Sequence, residues 1–207
     1  NVVERNPICV LCRQHEVCGM GPPSSGALTV GQMLGILDNF DLSTMSEAEA
    51  WHHYIEAARL SYADRGKYMA DSDFVDMPTE GLIEPGYLAS RADLIDPATT
   101  MGRAEAGTPE WDETRLWSPD TNLDRPGTSH MVIVDRYGDM VSMTTTIETG
   151  FGSRVMTGGF LLNNEMTDFS FRPEGDDGPV ANRVEGGKRP RSSMAPTIVL
   201  TDGQPSI

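Results

Sequence analysis

Apolar positions recur with two different periods along the chain, and the change of period divides it. After a turn at Pro22-Pro23-Ser24-Ser25-Gly26, the residues Leu28, Val30, Met33, Leu34 and Leu37 fall near one face of a helix that ends around Asn39. Ser46 and Glu49 have the spacing of a capping box, and Trp51, Tyr54, Ile55, Ala58 and Tyr62 follow at three- and four-residue intervals, which predicts a second, longer helix. A third, shorter helix is expected over 85–94. The stretch 96–125 carries Pro, Gly, Thr and acids without periodicity and reads as an exposed connecting loop.

From Thr128 the pattern changes. Residues 129–147 are dominated by Val, Ile, Met and Thr and are interrupted only by Asp135-Arg136-Tyr137-Gly138-Asp139, which predicts a β-hairpin of two largely buried strands. A three-residue loop with Gly138 in the left-handed conformation places Thr128 opposite Thr146 on one sheet face; a two-residue turn would separate them. Taken alone this is an ordinary cross-strand threonine pair. Further strands are expected at 160–162 and 197–200, separated by a Gly-, Pro- and Asp-rich loop at 171–189. No internal repeat is evident.

Charge narrows the function. With 31 Asp and Glu against 16 Lys and Arg, the formal net charge of −15 argues against a nucleic-acid or anionic-membrane binder. A hydrophobic content of 38% over 207 residues suffices for one globular core. No apolar run approaches the roughly 18 residues of a membrane span, and the opening residues show no signal-peptide pattern. The chain begins at Asn1 rather than Met, and 197–207 reads as a strand, a turn at Asp202-Gly203 and the start of another strand, so a segment of a longer protein is expected.

Metal chemistry finds little support. Cys9 and Cys12 have no second pair to complete four ligands, and His15, His52, His53 and His130 show no ligand spacing with an acidic partner. The His52-His53 pair reads as partly exposed helix surface. If Arg13-Gln14 is the turn of an opening hairpin, Cys9 and Cys18 lie opposite each other and a disulfide is conceivable. The favoured reading of these cysteines is small, half-buried strand residues.

Several motifs together carry more information than any one. Gly127-Thr128-Ser129-His130, TTTIETGFGS at 144–153, LLNNEMTDFS at 161–170 and KRPRSSMAPT at 188–197, with PPSSGA at 22–27 and YADR at 62–65, resemble the γ-glutamyltranspeptidase (glutathione hydrolase) family over nearly the whole chain. The resemblance implies an α+β N-terminal nucleophile hydrolase with a four-layer αββα sandwich, incomplete here. Its precursor cuts itself between Gly127 and Thr128. Residues 1–127 would be the mainly helical end of the large subunit and 128–207 the mainly β start of the small one, together part of one structural domain.

The roles implied by the resemblance are specific. Thr128 would be the nucleophile, with its own freed amine as base, and Thr146 would orient its hydroxyl. Glu148, Glu165 and Asp168 would bind the substrate α-ammonium, each raising the others' pKa in the empty site. Ser192 and Ser193 would donate to the α-carboxylate. The 171–189 loop would be a lid, here without a Tyr or Trp gate. The family's carboxylate-clamping arginine and its Gly-Gly oxyanion hole correspond to positions outside this segment. No cofactor is implied. The expected partners are glutathione or a similar γ-glutamyl amide and the remaining segments of the parent protein. The family is usually periplasmic or secreted in bacteria. A related acylase, a poly-γ-glutamate-processing enzyme and an inactive fragment that associates through apolar edges remain alternatives.

Overall fold

The computed structural model describes residues 2–111, 116–122 and 127–206. It is a mixed α/β structure in which both ends of the chain build one sheet. Strands β1 (Ile8–Cys12) and β2 (His15–Gly19) form a tight hairpin, β2 pairs antiparallel with β9 (Thr197–Thr201), and β10 (Gln204–Pro205) closes the order β1-β2-β9-β10. The expected turn at Arg13-Gln14 is present, and Cys9 stands opposite Cys18. The two are joined in a disulfide, so the reading of Cys9 and Cys18 as unbonded half-buried thiols is corrected; Cys12 alone is free.

The helices pack on this sheet through the first of them. Helix α1 (Gly26–Leu37) packs on β1 and on α2 (Glu47–Tyr68), and α3 (Pro85–Ala92) packs against α1. The start of α2 follows the sequence: the Ser46 hydroxyl accepts from Glu49 N, and the Glu49 carboxylate accepts from Ser46 N at 2.7 Å. Two apolar clusters result. One joins Leu28, Tyr68, Met69, Leu82 and Trp117; the other joins Ile36, Ala57, Leu60, Leu88 and Ile95.

The face that α2 buries differs from expectation. Trp51, Tyr54, Ile55 and Tyr62 are exposed, whereas His53, Glu56, Ala57, Leu60, Ser61, Asp64, Arg65 and Tyr68 point inward. A polar face can be buried because each group finds a partner. Asp64 accepts from Gln32 Nε2 at 2.9 Å, Tyr87 Oη at 2.7 Å, Gly107 N at 2.8 Å and Arg91 at 3.4 Å. Burial and this carboxylate push the Tyr87 hydroxyl well above its usual range and the Tyr68 hydroxyl up to about 12. His53, expected near the surface, is buried against Phe40, with Nδ1 bonded to the Glu49 carbonyl.

The same network corrects the expected exposed loop. Glu56 receives Met101 N and Thr100 Oγ1, Arg91 reaches the Glu105 carbonyl, and Trp117 is buried with Ser118 bridged to Val180. The irregular stretch is therefore fastened to α2 and α3 along its described part; 112–115 and 123–126 lie outside the described residues. Strands β3 (Thr128–Val134) and β4 (Met140–Thr146) form the expected hairpin with Thr128 opposite Thr146 and Gly138 at φ 92°. They are not buried as expected. β3 is exposed throughout, and Met131, Ile133, Val141 and Met143 lie on a face that no described element covers. The short hairpins β5 (Met156–Thr157) with β6 (Phe160–Leu161) and β7 (Glu174–Gly175) with β8 (Gly178–Pro179) complete the chain.

Candidate active site

A cleft of about 620 Å³ opens at the end of the β3–β4 hairpin, between α2, the turn after β4 and the segment before β9. The period of two along β3 and β4 puts Thr128, His130, Thr144 and Thr146 on one face, and all four line the cleft. The Thr146 hydroxyl donates to the Gly127 carbonyl at 2.8 Å and accepts from Glu148 N at 2.7 Å. His130 Nδ1 is 2.8 Å from Thr144 Oγ1. The sequence reading assigned Thr146 to the hydroxyl of Thr128; in this continuous chain Thr146 stands across the hairpin from Thr128, with its Oγ1 2.8 Å from the Gly127 carbonyl oxygen.

Two backbone features hold that arrangement. Glu148 has φ 71°, a left-handed conformation that a non-glycine residue adopts only when its surroundings fix it. Gly127 passes so close to it that a Cβ there would stand 1.8 Å from the Glu148 carbonyl oxygen. A glycine before Thr128 is thus required by close approach of two backbones.

The acidic wall combines the three carboxylates picked out in the sequence. Glu148, Glu165 and Asp168 all line the cleft, Glu165 and Asp168 from one 3₁₀ turn at Glu165–Asp168. Glu148 is 5% exposed; its Oε2 accepts from Asn164 Nδ2 at 2.7 Å, while Oε1 is buried without a partner. Glu165 Oε1 is likewise buried and unpartnered. Burial, then the charge of Asp168 and a hydrogen bond shared with it, then the charge of Glu148, push the Glu165 carboxyl up to about 7. Three crowded carboxylates, of which Glu148 and Glu165 each keep an unused acceptor oxygen, are suited to a small cation such as an ammonium group.

The facing wall is the Ser192–Ser193 pair, reached from the other end of the chain. Ser25 N and Ser25 Oγ both donate to the Ser192 carbonyl, at 2.8 and 2.9 Å, and Ser192 N donates to the Pro23 carbonyl at 3.0 Å. Ser192 Oγ accepts from Met194 N at 3.1 Å. Arg65 Nε donates to Ser25 Oγ at 2.7 Å and Arg65 Nη2 to Ser193 Oγ at 2.5 Å. Below it, Arg191 pairs with Asp120 at 3.2 Å, and its backbone N donates to Asn182 Oδ1.

All seven sequence-nominated side chains, from Thr128 to Ser193, therefore line one cleft together with Gly127. Arg65, Ser25, Asn164, His130 and Tyr62 had no assigned role in the sequence. The YADR, PPSSGA and LLNNEM runs contained four of them, but only as marks of resemblance. The 171–189 loop does not cover this cleft. Its residues 172 and 174–177 line a neighbouring cleft of about 440 Å³, and Val180, Ala181, Asn182 and Lys188 are buried anchors, so the expected lid is fastened elsewhere. Among the described residues, Cys9, Glu16 and Cys18 bring potential ligand atoms within 4.8 Å of one another, but both sulfurs are joined in the disulfide.

Comparison with known proteins places the chain in a family. The family described as Gamma-glutamyltranspeptidase matches residues 1–207, and the chain belongs to that family. It is 40% identical over 211 residues to the Glutathione hydrolase proenzyme of Escherichia coli (strain K12), with 98% of this chain and 35% of that protein covered. It is 39% identical over 204 residues to the Glutathione hydrolase proenzyme of Bacillus subtilis (strain 168), with 93% and 34% covered. The crystal structure of cephalosporin acylase from Bacillus halodurans superimposes with a TM-score of 0.79 at 25% identity, over 97% of this chain and 33% of that one. The chain spans about a third of the length of the curated relatives it matches. No helix among the described residues is long and apolar enough to cross a membrane.

Proposed function

We propose that the protein to which this chain belongs transfers the γ-glutamyl group of glutathione or a similar amide to water or an amino acid, using Thr128 as an N-terminal nucleophile exposed by self-cleavage. The observation that carries this reading is the convergence in one cleft of the Thr128–Thr146 pair, an acidic wall with unpartnered buried oxygens and a serine wall. An α-amino acid head group carries an ammonium and a carboxylate on one carbon, and the two walls offer acceptors and donors to match.

In the precursor the Thr128 hydroxyl attacks the Gly127 carbonyl. The Thr146 hydrogen bond at 2.8 Å polarises that carbonyl and stabilises the developing oxyanion. The peptide nitrogen leaves with a proton, the resulting ester between Gly127 and the Thr128 oxygen is hydrolysed, and Thr128 acquires a free amine. An α-amine with a pKa of about 7.7–8.0 is partly neutral at physiological pH and can take the hydroxyl proton when Thr128 attacks the substrate γ-carbonyl. The leaving amine receives that proton, and water or an acceptor amine then resolves the γ-glutamyl ester.

On this reading 1–127 and 128–207 are pieces of a large and a small subunit within one αββα sandwich, and further segments of the parent protein are its partners. An acylase acting on a glutaryl group is the second reading, suggested by the cephalosporin acylase neighbour. The trio Glu148, Glu165 and Asp168 favours an ammonium-bearing substrate, since glutaryl has no cation to offer them. The test is to mix the chain with a γ-glutamyl anilide and map any covalent adduct by peptide mass analysis. A γ-glutamyl ester on Thr128, absent in Thr128→Ala, is expected; an adduct on another residue overturns the assignment.

A further inference from the structure

We infer that Asn164 sets the preference of the cleft for an α-ammonium group, as the positioning residue that fixes the Glu148 carboxylate with one oxygen open to the ligand. This deepens the proposed reading of the cleft as an α-amino acid site and rests on it. Asn164 is half-buried and immediately precedes the 3₁₀ turn that carries Glu165 and Asp168. Its backbone anchors that turn: Asn164 N donates to the Ile147 carbonyl at 3.3 Å, and the Asn164 carbonyl accepts from Thr167 N at 3.1 Å and Thr167 Oγ1 at 3.0 Å. Its side chain joins the turn to Glu148. Nδ2 donates to Glu148 Oε2 at 2.7 Å, and Oδ1 accepts from Thr149 N at 3.2 Å and Thr149 Oγ1 at 3.0 Å.

The chemistry follows from which atoms can donate. A backbone N–H only donates, so Thr149 N draws Oδ1 of the amide to itself and turns Nδ2 towards Glu148. A carboxylate held at one oxygen is restrained in rotation, and Glu148 Oε1 stays buried without a partner. The holding group is also neutral. A Lys or Arg in its place would offset the charge that attracts an ammonium, whereas an amide positions the carboxylate and leaves that charge in place. The Thr149 half of the amide braces the turn in which Glu148 is held at φ 71°. One side chain thus fixes Glu148 relative to the turn that bears Glu165 and Asp168.

The test compares two ligands by titration calorimetry: L-glutamate, and glutarate, the same five-carbon diacid without the α-ammonium. In Asn164→Ala, L-glutamate is expected to bind about tenfold more weakly or worse, the scale of a lost hydrogen bond to a charged group, with glutarate changed less than about twofold. Equal losses for both ligands would make Asn164 merely structural and overturn the inference, as would wild-type affinity for L-glutamate. Asn164→Asp keeps the shape of the side chain and serves where Asn164→Ala fails to fold. It retains an acceptor for Thr149 N, but it has no hydrogen for Glu148 and sets a like charge beside it. A wall that acts only through its summed charge would widen the gap between the two ligands in this variant, whereas a wall positioned by Asn164 narrows it; a gap as wide as in wild type or wider overturns the inference. If the wild-type chain does not prefer L-glutamate to glutarate, the amino-acid reading of the cleft fails, and amide exchange at Thr149 decides the remaining claim. Faster exchange there in Asn164→Ala, with α2 unchanged, supports the hold of Asn164 on this turn; identical exchange refutes it.

Discussion

Replacing Gly127 with alanine inserts a carbon where there is no room, and the sign of its effect is diagnostic. The new Cβ would lie 1.8 Å from the Glu148 carbonyl oxygen, whereas real contacts of this kind stay beyond 3.0 Å, so the two backbones must part by at least the 1.2 Å difference. The Thr146–Gly127 hydrogen bond, now 2.8 Å, cannot survive a displacement of that size. Overpacking of this kind costs about 1–3 kcal/mol and the lost bond about 1 more, for a destabilisation of roughly 2–4 kcal/mol. Without the clash no loss of this size is expected, since replacing a glycine by alanine in a conformation alanine can adopt favours folding by about 0.4–1 kcal/mol through the unfolded chain. Denaturant unfolding followed by circular dichroism reads the stability, and mass analysis reads the rate of cleavage before Thr128, which a shift of about 1 Å should slow on the order of 100-fold. A Gly127→Ala chain as stable as wild type and cleaved at the wild-type rate would refute the packing argument.

Further perturbations test separate parts of the account. Burial, then Asp168 and Glu148, raise Glu165 from an ordinary 4.5 to about 7, so its carboxylate is ionised only above that pH. L-glutamate, through its ammonium, should bind more tightly as pH rises through 7, while the stability due to neutral Glu165, complete below 4.5, is lost as pH rises towards 7. Glu165→Gln should flatten both profiles, and a wild-type affinity independent of pH would contradict this. Asp64→Asn places an amide among the donors of Gln32, Tyr87 and Gly107 and leaves Arg91 unpaired; about 3–5 kcal/mol should be lost in urea unfolding, and a loss under about 1 would contradict the network. Reducing the Cys9–Cys18 bond, which closes a separation of nine residues, should remove roughly 2–3 kcal/mol, and a Cys9→Ser, Cys18→Ser chain should be indifferent to reductant; a wild type that does not respond would argue against the bond.

What could be read from the sequence depended on the range of the interaction. The capping box of Ser46 and Glu49 and the turn chemistry at Gly138 are local, and they fixed the start of α2 and the register that brings Thr128 opposite Thr146. The inward face of α2 was not legible, because periodicity marks Trp51, Tyr54, Ile55 and Tyr62 as a stripe without saying what lies beneath it. The buried side depends on Asp64 and Glu56 meeting donors from α1, α3 and 100–107. The apolar composition of β3 and β4 gave the strands but not their exposure, since no described element covers their outer face. In the site, motif resemblance brought in the residues that face the cleft. Arg65 escaped because its hydrogen bond to Ser193 spans 128 positions of the chain.

The central claim is that Thr128 becomes an N-terminal nucleophile. The most direct measurement is intact mass and N-terminal sequencing of the chain after incubation near neutral pH, beside Thr128→Ala. The account predicts two fragments from the wild-type chain, one beginning Thr128-Ser129-His130, and a single uncut chain from the variant. A folded wild-type chain that stays whole, or one cut at another bond, would contradict it.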